Sequence, residues 1–127
     1  MKKFVCMAIL LALSTTQVFA QAPSQEMPTT NVMVSIKGNP GVQQTPEFRE
    51  VIPNEVRETL KLYLGGKIAH WYSRGDGGVL FIMNASSVEE AKTAIEALPL
   101  GRAGMVTAEY VPLRPLAPLG MLIAPSM

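Results

Sequence analysis

At 127 residues, 48% of them hydrophobic and 17% charged, the chain has the balance of one globular domain, which excludes wholesale disorder and a second domain. A formal net charge of +1 with no long basic block excludes the electrostatic footprint of a nucleic-acid binder. One histidine, His70, and one cysteine, Cys6, exclude a Cys/His metal centre built within a single chain.

Residues 1–20 read as a secretory signal peptide. Lys2 and Lys3 give the positive start, Phe4 to Leu13 the apolar run, and Val18-Phe19-Ala20 a cleavage site. The run is about half the ~20 apolar residues that a spanning helix needs, so cleavage is expected rather than anchorage. Cleavage removes both lysines and Cys6, leaving nine Lys and Arg against ten Asp and Glu, a net charge of −1, and no thiol. The expected address is the periplasm or the medium, with no disulfide and no membrane attachment.

Residues 21–30 form a polar leader with Pro23 and Pro28. Asn31 to Lys37 alternates as a strand, with Val32, Val34 and Ile36 on one face and Met33, Ser35 and Lys37 on the other. Gly38-Asn39-Pro40-Gly41 ends it. Thr45-Pro46-Glu47 starts a helix, with a capping hydroxyl followed by proline at the first helical position. Pro53 is expected to interrupt that helix. Beyond it Val56, Leu60 and Tyr63 recur at helical spacing with Leu64 beside them, and Gly65-Gly66 supplies a left-handed stop.

Ile68 to Arg74 is the second strand, Gly75-Asp76-Gly77-Gly78 a hairpin turn, and Val79 to Asn84 a third strand apolar on both faces. Ser87-Val88-Glu89-Glu90 is a capping box. It opens a helix with the stripe Val88, Ala91, Ala94, Ile95 and Leu98, which Pro99 ends. Met105 to Val111 is the fourth strand. Residues 116–127 form a tail whose apolar patch, Met121-Leu122-Ile123, is expected to pack on a partner subunit.

The order βαββαβ predicts an α+β, ferredoxin-like fold: a four-stranded antiparallel sheet with both helices on one face. Strands one and three are apolar on both faces, and no further element in the chain can cover the second one. A symmetric partner sheet is the economical answer, so a homodimer is expected.

Three motifs stand in order on these elements: Gly66-Lys67-x-x-His70 entering the second strand, Leu98-Pro99-Leu100 closing the second helix, and Val111-Pro112-Leu113 ending the fourth strand. With them, residues 31–115 resemble the muconolactone isomerase-like branch of the dimeric α/β-barrel superfamily. Trp71-Tyr72 and Arg74 to Val79 are similar to bacterial relatives in that branch. The resemblance implies two subunits whose sheets meet as a barrel, with a pocket in each half. It also implies a proton shift between ring carbons of a small acid, without metal or organic cofactor. Lys67 and His70 match family positions near the pocket. Ile68 stands where the isomerases carry a tryptophan, and Trp71 and Tyr72 replace leucine and tryptophan.

Period two places Ile68, His70, Tyr72 and Arg74 on one face of the second strand, and Ala69, Trp71 and Ser73 on the other. In a pocket, His70 is a proton shuttle, Tyr72 a hydrogen-bond donor, and Arg74 or Lys67 a carboxylate clamp. The alternative for His70 is a hydrogen-bonded structural histidine. Glu109 is either a second acid–base group, a partner for Lys67 or Arg74, or a solvated edge carboxylate. Trp71 is expected to pack under the helices. Asp76 is expected to serve the turn alone. The methionines fit adaptable packing rather than a metal-thioether site.

Three functions follow: a cofactor-free isomerase for a small cyclic or aromatic acid, a non-catalytic binder of a small organic ligand in the same pocket, and a structural dimer with a filled barrel. A cofactor-free monooxygenase using Trp71 with His70 is a further enzyme variant.

Overall fold

The computed structural model describes residues 27–116. Residues 1–20, read from the sequence as a signal peptide, residues 21–26 of the leader and the tail from residue 117, with its Met121-Leu122-Ile123 patch, lie outside the described residues.

The elements are β1 (Asn31–Gly38), a 3-10 turn (Val42–Gln44), α1 (Pro46–Leu64), β2 (Ile68–Ser73), β3 (Val79–Met83), α2 (Val88–Glu96), α3 (Pro99–Arg102) and β4 (Val106–Leu113). The four strands form one antiparallel sheet in the order β2-β3-β1-β4, the ferredoxin-like arrangement expected from the sequence. β2 and β4 are its edges.

Local chemistry sets the element ends. Thr45 accepts a hydrogen bond from the Phe48 N–H and caps α1. At the other end Gly66 has a φ of 78°, and the Gly66 and Lys67 N–H groups donate to the Tyr63 and Leu62 carbonyls, which closes the helix in a Schellman turn. Ser87 caps α2 through the Glu90 N–H at 3.1 Å. The Glu90 carboxylate reaches back to Ser86, both N–H and hydroxyl at 3.0 Å, one residue further than in a standard capping box. Pro99 ends α2 as expected and also opens α3 as its first residue. Gly78 has a φ of 84°, and any Cβ there would collide with the Ile36 carbonyl, so the β2–β3 hairpin packs backbone to backbone against β1.

Two expectations for α1 are corrected. Pro53 does not interrupt it: the helix runs unbroken for 19 residues. Proline's fixed φ suits a helix, and its cost is a lost bond to the carbonyl four residues back. Arg49, the owner of that carbonyl, and Pro53 are both exposed, so water can serve the freed oxygen. The stripe Val56, Leu60, Tyr63 and Leu64 is exposed rather than buried. Thr59 is the one buried residue of α1.

The core lies between the sheet and α2. Val32, Val34 and Ile36 of β1, Phe81 and Met83 of β3, and Ile68 of β2 meet Ala91, Ile95 and Leu98. Dispersion and the hydrophobic effect hold this layer, and burying each large apolar side chain contributes about 1.5–3 kcal/mol.

Candidate functional site

The opposite face of the sheet has no covering element among the described residues. Antiparallel register arranges its side chains in rows that cross all four strands. One row is His70, Ile82, Met33 and Val111; the next is Tyr72, Leu80, Ser35 and Glu109. The floor is apolar, with the polar groups at the edges and one end.

β2 reaches this arrangement through an irregularity. Ile68 pairs with Met83 but His70 pairs with Ile82, so Ala69 is an extra residue, a β-bulge. This corrects the expected grouping of Ile68 with His70: Ile68 turns into the core, 1% exposed. His70 and Tyr72 stay on the open face, and Trp71, opposite Phe81, faces the helices. Trp71 is not enclosed there. It stacks on Tyr63, with ring centroids 4.9 Å apart and planes 5° from parallel. Trp71 and His70 project to opposite faces of β2, so the monooxygenase pairing of the two is not assembled.

His70 and Tyr72 are neighbours on the open face, with ring centroids 6.4 Å apart. Arg74 joins them at the strand end. Its guanidinium reaches across β3 to donate to the Ser35 hydroxyl, and it also donates to both oxygens of Asp76, Nε to Oδ1 at 2.9 Å. Lys37 donates to the same carboxylate at 3.0 Å. The Lys37 bond first, then Arg74, holds the Asp76 carboxyl below the usual carboxylate range. Asp76 therefore does more than turn the chain: it fixes Arg74 and ties the hairpin to β1. Opposite charges at Lys37, Arg74 and Asp76 are the signal that would have found it, once the turn is laid beside β1.

Glu109 lies opposite Ser35 on the far edge strand. Three inter-strand spacings separate β2 from β4, roughly 14 Å, so within one chain Glu109 and His70 cannot share a proton. Lys67 stands apart from the row. Its ammonium lies 3.4 Å from Glu90, at the start of α2. The Ser86 N–H and hydroxyl, with Lys67 behind them, keep the Glu90 carboxyl low.

The face thus offers an imidazole and a phenol side by side, a restrained guanidinium at one end, and a carboxylate at the opposite edge. No group of three or more His, Cys, Asp or Glu among the described residues is placed to hold a metal ion. No helix among the described residues is long and apolar enough to cross a membrane.

The chain matches no protein-family model and no curated protein. Among solved structures it is similar to 5-chloro-2-hydroxyhydroquinone dehydrochlorinase from Burkholderia phenoliruptrix, in complex with 2,5-dihydroxybenzoquinone. Sequence identity is 22%, the match covers 66% of this chain and 93% of that one, and the TM-score is 0.49.

Proposed function

We propose that this is an exported homodimer whose open sheet faces meet as a barrel, and that it carries out a cofactor-free proton shift on a small cyclic or aromatic acid, as in the muconolactone isomerase-like branch it resembles. The observation that carries this reading is the uncovered face that sets His70, Tyr72 and Arg74 around Leu80, Ile82 and Met33. Sheets stack about 10 Å apart, and apolar stripes on both would fill that layer between the polar ends. A two-fold axis along the strands lays the partner's β4 over β2, which sets the partner's Glu109 against the His70 edge.

In this reading the Arg74 guanidinium anchors the substrate carboxylate, a charge-assisted contact. Neutral His70 accepts a proton from the carbon next to a carbonyl, the Tyr72 hydroxyl donates to the enolate oxygen, and His70 returns the proton to another ring carbon. Glu109 is the second acid–base group. Lys67, held by Glu90, is a binding residue only if that pair opens.

The test is solvent deuterium incorporation into small lactone and aromatic acids, followed by NMR. Wild-type protein is expected to exchange one ring proton, and His70→Gln to slow this by roughly 10²-fold or more while binding persists. No exchange in wild type overturns the enzyme. The non-catalytic binder of a small organic ligand is then the better reading. Intact mass of the exported protein tests the address, with a start near Gln21 expected.

A further inference from the structure

The hairpin end of the open sheet face gathers three charged side chains into one contact. Alternation along β1 places Ser35 and Lys37 on the same face, and Arg74 follows the last residue of β2. Arg74 donates from Nη1 to the Ser35 hydroxyl, and from Nε and Nη2 to the two oxygens of Asp76. Lys37 Nζ donates to the Asp76 Oδ2 at 3.0 Å. A planar guanidinium fork on both oxygens of a carboxylate, with a second cation on one of them, is the geometry by which proteins hold a carboxylate ligand. Here the chain's own carboxylate fills it.

The partners are not equally held. The Arg74 side chain is 29% exposed and the Asp76 side chain 55%. The Ser35 bond ties the guanidinium to the sheet independently of Asp76. Asp76 stands at the hairpin tip between Gly75 and Gly77, where a Cβ added to either glycine would meet no atom within 4 Å. The tip therefore has open space to swing into, whereas Arg74 keeps its bond to the sheet. Exposed ion pairs are individually weak, so moving Asp76 out into water costs little. Beside the fork, Tyr72 and Leu80 face each other across β2 and β3 and offer a ring edge and an apolar floor to the body of a ligand.

We infer that Asp76 is a built-in competitor at this seat: its carboxylate occupies the Arg74–Lys37 fork until the carboxylate of a cyclic or aromatic acid displaces it. With Arg74 as the anchor of the proposed function, on which this inference rests, the competition sets when that anchor is released. Asp76 is two residues from Arg74, so its effective concentration at the fork is high, on the order of millimolar or more for so short a link. The apparent affinity for an acid is then the intrinsic affinity reduced by the fraction of chains in which the fork is open. A neutral ring gains nothing by opening the fork, whereas an acid gains both cations. The exchange therefore selects for a carboxylate. One carboxylate leaves as another arrives, and neither cation is left uncompensated.

Asp76 is the only aspartate in the sequence, so its carboxyl carbon gives a single aspartate resonance in labelled protein. The experiment titrates the full exported chain with benzoate and with benzamide, a similar ring without the charge, and measures heat and that resonance. Expected is saturable benzoate binding that moves the Asp76 resonance, with benzamide leaving it in place. Asp76→Asn keeps a residue suited to the turn and removes the competing charge. Benzoate should bind this variant about three- to tenfold tighter than wild type, and benzamide no tighter. Glu89→Gln, in the first turn of α2 beyond the far end of β3, removes the same charge elsewhere and should leave both affinities unchanged. Unchanged or weaker benzoate binding in folded Asp76→Asn overturns the competition and leaves Asp76 only to position Arg74. An equal gain in Glu89→Gln, or for benzamide, overturns it too, because overall charge or a general change would then explain the gain. An Asp76 resonance unmoved by saturating benzoate in wild type overturns the location, whether or not the variant folds. If benzoate binds neither wild type nor Asp76→Asn, the Arg74 anchor of the proposed function fails with it, whereas binding without the gain sinks the competition alone.

Discussion

The two faces of the sheet are built from consecutive residues and differ in almost every respect. On β1, Val32 and Val34 are fully buried, while Met33 and Ser35, the residues that follow them, are partly exposed. On β3, Phe81 and Met83 enter the core and Leu80 and Ile82 do not. Yet Met33, Leu80 and Ile82 are as apolar as their neighbours. A face meant for water would carry polar residues there. The covered face shows what a chain this small can bury by itself, and the open face shows apolar surface that it leaves for something else.

The sharpest way to break this contrast is to truncate adjacent residues of β3. Phe81→Ala should cost about 3–5 kcal/mol in urea unfolding at any protein concentration, because it opens a cavity in the core. A loss that depended on protein concentration would mean that the two faces are not independent. Ile82→Asp should act in the opposite sense. It places a charge on the open face, so association should weaken by roughly 100-fold in sedimentation, while the monomer's circular dichroism is unchanged. A dimer of undiminished strength would remove the open face as the interface.

A smaller effect concerns the helix that seals the covered face. Ser87→Ala removes the cap of α2 and should cost about 1 kcal/mol in the same unfolding assay. The smallest concerns Glu55 beneath α1. Burial raises its carboxyl, so the folded chain holds the proton more tightly than the unfolded chain. Stability then falls as pH rises through the window between the ordinary carboxylate value and the raised one, and stays lower above it. Glu55→Gln should be more stable than wild type at neutral pH, with the advantage fading in acid. An advantage independent of pH would contradict the assignment.

Much of the fold was legible from the residues. Alternation in β1 and β3, the Ser87 cap, the Gly66 stop and the turn at Gly75 to Gly78 are local signals, and local physics decides them. What was not legible depends on neighbours. Proline chemistry argued for a break at Pro53, and only its exposed position on a long helix shows why the helix continues. Period two grouped Ile68 with His70, because a bulge at Ala69 leaves no mark in the alternation itself. The stripe from Val56 to Leu64 fitted the core by spacing, but α1 turns Glu55 and Thr59 inward instead. The candidate site was half legible: His70, Tyr72 and Arg74 do stand together, whereas Glu109 and Lys67 lie elsewhere in the single chain. Asp76 was hidden by its own suitability for a turn.

The bulge at Ala69 and the proline at position 112 sit on the two outer strands of the sheet. An outer strand with regular spacing and free donors is a template on which further strands can grow, the first step toward filaments. Here one outer strand carries an unpaired residue that distorts its spacing, and the other contains a residue without an N–H. Lateral growth of the sheet is therefore obstructed on both sides. With both edges obstructed, the broad open face is the apolar surface left for association.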